Sequence, residues 1–222
     1  FEIVGREMKA QVSYPGGRLN FKTKLIGRHN LYNFLAAISA ALVLGISPQA
    51  IVKGISQLES IPGRLEFVPN SLGLSVVVDY AHTDNALENL LLAVRSLNPA
   101  RIILIFGCGG DRDRSKRPRM GEVAAHLADW TIITSDNPRS EDPEKIIKDI
   151  EQGFLKVGSK NYESISDRRS AIQKALAMAA PGDFVVIAGK GHETYQIFKD
   201  QTIPFSDYET AREMIKKLEE RN

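Results

Sequence analysis

Trp130-Thr131-Ile132-Ile133-Thr134 is a short apolar run that leads into the polar tetrad Asp136-Asn137-Pro138-Arg139, and Glu141-Asp142-Pro143-Glu144 then has the composition of a helix start. An apolar run of this length, bounded by turn residues, predicts a buried strand. Asp142 and Pro143 supply an N-cap and a first helical residue. A strand that passes to a helix through a polar loop predicts an open α/β sheet, and such sheets bind ligands beyond the carboxyl ends of their strands. Arg139, at the end of the tetrad, carries a planar fork suited to a carboxylate.

The same alternation extends on both sides of this stretch. Strands are predicted at Leu65 to Val68, Ser75 to Val78, Arg101 to Phe106, Tyr162 to Ser164 and Phe184 to Ala188. Helices are predicted at Asp84 to Leu97, Arg117 to Leu127, Pro143 to Phe154 and Arg168 to Ala179. An edge hairpin is expected from Thr194 to Phe198 and Thr202 to Pro204. Ser206-x-x-Glu209 forms a capping box for a last helix through about Leu218. Right-handed crossovers then give a mainly parallel sheet with flanking helices. Residues 1 to 28 have a different texture, with short strands about a Pro15-Gly16-Gly17 turn. An apolar helix from about Leu31 ends at Gly45, and a second starts at Ser47-Pro48. Ile61-Pro62-Gly63 breaks the pattern and marks the expected domain boundary.

Composition narrows the function classes. The 222 residues carry 29 Lys and Arg against 27 Asp and Glu, a formal net charge of +2, which demands no nucleic-acid partner. The basic run Arg112, Arg114, Lys116, Arg117, Arg119 is interleaved with Asp111 and Asp113 and lacks the aromatic partners of a single-strand-binding surface. It reads as an anion-binding loop or a solvated one. The single cysteine, Cys108, rules out a disulfide within the chain and is expected to be a small buried residue. No apolar run reaches membrane-spanning length, and a cytoplasmic location is the expectation. The chain opens without Met in the middle of a strand-like pattern and is expected to be a piece of a longer protein.

Four predicted strands end in polar residues. Asp79-Tyr80-Ala81-His82-Thr83 offers a carboxylate and an imidazole to a ribose or base, or caps the next helix with Asp79 and Thr83. Gly107-Cys108-Gly109-Gly110-Asp111-Arg112-Asp113 is a glycine-rich turn or a backbone nest for an anion. It is not a dinucleotide fingerprint, because Arg112 replaces the last glycine. The third cluster is the tetrad. The fourth, Gly189-Lys190-Gly191-His192-Glu193, lacks the upstream glycine and the Ser/Thr of a P-loop. If the four ends are adjacent, Arg112, Arg139 and Glu193 converge, and two guanidiniums with one carboxylate match an amino acid. Asn30, in Gly27-Arg28-His29-Asn30, is an N-cap or a base-reading amide, and spacing alone favours the cap. His126, within an apolar helix, is expected to be structural.

These motifs, with Asn33, Gly63-Arg64-Leu65-Glu66 and Lys116-Arg117-Pro118, occur in an order that resembles the Mur ligases of peptidoglycan synthesis. The likeness is closest to the members that add meso-diaminopimelate. It implies that residues 1–63 are the tail of a central ATP-binding domain and that 64–222 are a Rossmann-like C-terminal domain. Asn30 would contact adenine, and Arg64 and Asp79 the adenosine and its ribose, with His82 beside them. Arg112, Asp136, Asn137, Pro138, Arg139, Gly189 and Glu193 would hold meso-diaminopimelate. The implied reaction activates the D-glutamate carboxylate of UDP-MurNAc-L-Ala-D-Glu with ATP as an acyl phosphate, which the incoming amine attacks. ATP and Mg2+ are the implied cofactors, held mainly by a P-loop part that lies outside this stretch, and no catalytic or metal-binding residue is assigned within it. The implied protein is a cytoplasmic monomer acting on small molecules, without nucleic-acid or membrane partners. Two alternatives are a related ligase with another acceptor (L-lysine, folylpolyglutamate or cyanophycin type) and a non-catalytic binding module.

Overall fold

The computed structural model describes residues 1–220; Arg221 and Asn222, the end of the expected 64–222 unit, lie outside the described residues. The chain begins with an antiparallel meander of β1 (Glu2–Val4), β2 (Glu7–Tyr14) and β3 (Gly17–Thr23). Tyr14 pairs with Gly17, so Pro15 and Gly16 make the expected tight turn. Helices α1 (Arg28–Val43) and α2 (Pro48–Ser56) follow. Ser47 caps α2 by accepting from the Ala50 amide at 3.3 Å, with Pro48 in the first helical position. α1 starts earlier than its apolar pattern predicts. Gly27, at φ 102°, opens it, and Asn30 is the third helical residue instead of the cap.

The second part runs β4 (Glu66–Val68), β5 (Ser75–Asp79), α3 (Asp84–Arg95), β6 (Ile102–Phe106), α4 (Lys116–Leu127), β7 (Trp130–Ile133), α5 (Pro143–Lys156), β8 (Tyr162–Ser164), α6 (Arg168–Met178), β9 (Phe184–Ala188), β10 (Tyr195–Ile197), β11 (Thr202–Pro204) and α7 (Asp207–Glu219). Six strands form one sheet in the order β4-β5-β9-β6-β7-β8. Only β4 is antiparallel, at the edge against β5. The last long strand, β9, returns to the middle of the sheet. Asp79 is level with Ala188, Ile105 with Ile187, and Phe106 with Ile133, so four strand exits stand side by side.

The central strands are apolar on both faces, as strands covered on both sides must be. Val77, Leu104, Phe106 and Val186 face a core shared with α3, α4 and α5, which continues into Phe21, Phe34 and Ile38 of the first part. Val76, Val78, Ile103, Ile105, Val185 and Ile187 face a second core filled from α6 and α7.

Two features fix α4 against α5. Gly121 and Gly153 let the backbones touch; a Cβ on Gly153 would collide with the Pro118 carbonyl oxygen, and one on Gly121 with that of Ile150. Arg117, hidden in the basic run of the sequence, is wholly buried. Its guanidinium donates to both carboxylate oxygens of Glu141 at 2.8 and 3.0 Å, to Asp149 at 2.9 Å, and to the Gly109 carbonyl at 3.3 Å. A buried cation needs such partners. His126 corrects an expectation: it is exposed, because the glycine contact, not the apolar pattern, decides which face of α4 is covered.

Gly153→Ala should lower stability by about 1–3 kcal/mol through overpacking, read as a shift of the urea midpoint at constant slope. A second expectation concerns acid. Hydrogen bonds from Arg117, against the opposing effect of burial, hold the Glu141 carboxyl at about 2, below its ordinary 4.5. The folded value is the lower one, so the stabilisation is complete above 4.5, drains as pH falls, and is gone by about 2. Glu141→Gln should therefore flatten the fall of the thermal midpoint over that window relative to wild type.

Candidate functional site

The loops after β5, β9, β6 and β7 enclose a cleft of about 380 Å³, lined by Arg112, Asp136, Asn137, Arg139, Gly189, Glu193 and His82 among others. A larger depression of about 750 Å³ lies on the N-terminal meander, lined by Lys9, Lys22, Phe21 and Val52. It holds less convergent chemistry than the cleft, which gathers three basic side chains with the buried Asp136 and the half-buried Glu193.

Glycines bring the two central loops into contact. A Cβ on Gly107 would strike the Thr134 carbonyl, and one on Gly110 the Pro138 carbonyl. The Gly110 amide donates to the Asn137 carbonyl at 2.9 Å. Arg139 adopts φ 53°, the left-handed region that non-glycine residues seldom occupy. Its amide donates to the Ile197 carbonyl at 3.0 Å and its Nη1 to the Gly110 carbonyl at 2.9 Å. One edge of the guanidinium is thereby fixed, and the protein leaves Nε and Nη2 without partners among the described residues. Arg112 is exposed and spends only Nη1, on the Asp111 carbonyl at 2.9 Å. A strained, over-determined backbone such as that of Arg139 is typical of ligand sites.

Below the two arginines lies a buried polar layer. Asp136 and Asn137 are 6% and 4% exposed. Burial pushes the Asp136 carboxyl up, and the nearby Arg168 and Lys190 oppose that. Asn137 accepts at Oδ1 from the Ile197 amide at 2.9 Å and from Lys190 Nζ at 3.1 Å, and donates through Nδ2 to Glu193 Oε2 at 2.9 Å. Burial alone would raise the Glu193 carboxyl; hydrogen bonds from Lys190 and Asn137 outweigh it and hold the group below its ordinary value. Gly189, at φ 117°, leaves no room for a side chain beside Asp136 without crowding its carboxylate.

The remaining predicted residues lie outside this cleft. Pro138 is buried, and lines a neighbouring groove with Phe198. Asp79 is buried, and its oxygens accept from the Leu65 amide at 2.7 Å and the Ala81 amide at 2.8 Å. Thr83, not Asp79, caps α3. Asn30 donates to the Ile26 carbonyl at 2.9 Å and accepts from Asn33 at 3.3 Å, so its amide is partly committed within the fold. Arg64 is exposed, its guanidinium 5.0 Å above the Tyr80 ring, which in turn sits 4.7 Å from His82 and 5.5 Å from His192.

A nucleoside fits this second set. Asp79 retains unfilled lone pairs, and the His29 Nδ1 beside it is buried without a partner. Among the described residues no three His, Cys, Asp or Glu side chains gather as a metal site. Nor is any helix among them long and apolar enough to cross a membrane.

Sequence reasoning gave no role to Lys190, wholly buried under the cleft, or to Tyr80 on its wall, and named Lys116 only as part of the basic run. A lysine between two glycines at the end of an apolar strand was the available signal. Of the basic run, Arg112 and Lys116 reach the cleft, while Arg117 is structural and Arg114 pairs with Glu141 at 3.0 Å. Cys108 is buried as expected, and desolvation pushes its thiol up to about 12, which makes it unreactive.

Residues 63–191 match the family described as Mur ligase, glutamate ligase domain. A UDP-N-acetylmuramoyl-L-alanyl-D-glutamate–2,6-diaminopimelate ligase from Syntrophomonas wolfei is 50% identical over 206 residues, covering 93% of this chain and 42% of that protein. The protein of the same name from Synechocystis is 52% identical over 206 residues, covering 90% of this chain and 40% of that one. A solved structure of a ligase of this name superposes with a TM-score of 0.69 at 39% identity, over 95% of this chain and 43% of that one. The chain thus spans less than half the length of these relatives. A family match over more than half its residues, an identity of 50% to a relative, and a mainly parallel sheet whose four level strand exits build one cleft lead to one assignment: the chain belongs to the Mur ligase family.

Proposed function

We propose that this chain is the acceptor-binding part of an ATP-dependent, cytoplasmic ligase that adds meso-diaminopimelate to UDP-MurNAc-L-Ala-D-Glu in peptidoglycan synthesis. In this reading residues 1–63 close a central ATP-binding domain and 64–222 form the C-terminal domain. The carrying observation is the convergence of Arg112, Arg139 and Glu193 in one cleft above a buried, hydrogen-bonded floor. The names of the similar ligases from Syntrophomonas wolfei and Synechocystis support the choice of acceptor.

The residues divide the work by charge. Meso-diaminopimelate carries two carboxylates and two amines. Arg139, with one edge pinned to Gly110 and two nitrogens left over, takes one carboxylate as a fixed fork. Arg112, on the opposite loop, serves the second. Glu193, held ionised, takes an ammonium. One amine is then left to lose its proton and attack. ATP phosphorylates the D-glutamate γ-carboxylate and leaves as ADP; the free amine attacks the acyl carbon, the amide C–N bond forms, and phosphate departs. The chain's contribution is orientation, which converts an encounter into a step of high effective concentration. Arg64 and Asp79, with His82 beside them, face the adenosine, and Asn30 the base. Magnesium, when bound, neutralises phosphate charge, and no residue here is assigned to hold it.

A fork built for a carboxylate discriminates against L-lysine, which lacks the distal carboxylate and leaves a guanidinium unpaired. Arg139→Ala in the full-length ligase should raise the KM for meso-diaminopimelate by about 10- to 100-fold, the loss of one charge-assisted contact. The preference over L-lysine should shrink with it. Steady-state kinetics with both amino acids checks this, and unchanged constants for both would overturn the acceptor assignment. Gly109→Ala gives a gentler version. Its Cβ would lie 2.8 Å from Arg139 Nη1, so the guanidinium must move. The KM should rise less than in Arg139→Ala, with the thermal midpoint nearly unchanged.

A further inference from the structure

Lys190 is the only buried lysine among the described residues, with no exposed surface. An ammonium in such a place is unfavourable unless its donors are filled. It has three donors and meets three acceptors: Glu193 Oε2 at 3.0 Å, Asn137 Oδ1 at 3.1 Å and Asp136 Oδ1 at 3.5 Å. The Tyr195 ring lies 5.7 Å from Nζ. Lys190 and Asn137 both donate to the same oxygen of Glu193, Oε2, and leave Oε1 without a partner among the described residues. Asn137 is locked as well: its Oδ1 faces two donors and its Nδ2 a carboxylate, so a flipped amide would break all three contacts.

We propose that Lys190 is a positioning residue of the acceptor pocket: its ammonium occupies Oε2 of Glu193 and the carbonyl side of Asn137, so that Glu193 presents Oε1 alone to the incoming ammonium. This rests on the reading that the cleft takes an amino acid. Lys190 touches no reacting atom. It fixes where the acceptor's ammonium sits, and so where the attacking amine points. It also keeps two neighbouring carboxylates, Asp136 and Glu193, from facing each other uncompensated, and it excludes a ligand ammonium from the deeper position between them.

Charge around Glu193 comes from several elements. Lys190 lies on its own loop, Asp136 and Arg139 on the loop after β7, and the buried Arg168–Asp207 pair on α6 and α7 beneath. Arg112, Lys116 and His82 line the cleft it faces. Of these, Lys190 is the one cation in direct contact with the carboxylate. Its removal should raise the Glu193 proton affinity, so acceptor binding is lost as pH falls through the raised value, and the acid limb of kcat/KM moves to higher pH.

The experiment compares wild type, Lys190→Ala and Lys190→Met in the full-length ligase, with n-propylammonium added back to the alanine variant. Expected are a rise in acceptor KM of about tenfold or more, a kcat at saturation that changes much less, an acid limb displaced upward, and partial recovery of KM in Lys190→Ala by n-propylammonium. A variant that unfolds cooperatively like wild type but shows no change in KM, no displaced limb and no rescue would overturn the proposal. Because either variant can fail to fold, the wild-type chain with 13C-labelled glutamate carboxyls provides a separate arm. Glu193 should titrate below its ordinary value of 4.5, and a value at or above it would overturn the proposal. If wild type uses no amino-acid acceptor at all, the reading of the cleft fails instead, and the Glu193 titration still decides the Lys190 contact.

Discussion

The buried guanidinium of Arg168 holds together two of the four strand exits on which the cleft is built. From the first turn of α6 it donates to the Ser135 carbonyl at 3.3 Å, just past β7, and to the Ala188 carbonyl at 2.9 Å, at the end of β9. Asp207, at the start of α7, accepts from the other side at 2.7 and 2.8 Å. Strands β7 and β9 are not neighbours, since β6 lies between them. The arginine therefore spans the sheet end and sets the spacing of the tetrad from the Gly189–Glu193 loop. Burying this pair is costly in solvation, and a well-packed apolar pair of equal volume could give equal stability. Its effect is to fix a distance between two functional loops.

Charge in this protein is layered on that frame. Arg168 and Asp207 lie at the base. Asp136, Asn137 and Lys190 form the middle, all buried, with Lys190 donating to both of the others. Arg112, Arg139 and Glu193 make the open layer. The base bonds the backbone at Ser135 and Ala188 beneath the middle layer, and the middle layer satisfies Glu193 at Oε2 while leaving Oε1 free among the described residues. The order follows from electrostatics: an unpaired charge is affordable only where solvent or ligand reaches it.

Much of this was legible in sequence. The strand Phe184–Ala188 was read to the residue, because five apolar residues meet a turn on each side. The alternation of strands and helices left the adjacency of the four polar strand exits as a condition, and the strand order, with β9 in the centre of the sheet, meets it. Other features had no local signal. A glycine at positive φ opened α1 three residues ahead of the apparent cap at Asn30. Arg117 looked like its solvated neighbours, and its burial depends on Glu141 and Asp149, which are distant in sequence. Lys190 had a local signal in its place between two glycines, but its burial had none: Asp136 and Asn137, two of its acceptors, are more than 50 residues away and are brought to it only by the fold. The family resemblance supplied roles for Arg139 and Glu193, but not the atoms that hold them.

Gly63 carries a consequence of its own. Its Cα lies so close to the backbone of Gly191 and His192 that a side chain there would overlap the His192 amide nitrogen. Its amide is tied to Glu66 at 2.7 Å, and Leu65 is tied to Asp79. The linker between the first part of the chain and the sheet therefore rests on the loop that carries Lys190 and Glu193, backbone against backbone. Close-packed atoms have no slack to absorb displacement. A rotation of the N-terminal part would therefore reach the cleft as a push on that loop, so this backbone contact, beside the shared apolar core, gears the two parts of the chain to each other.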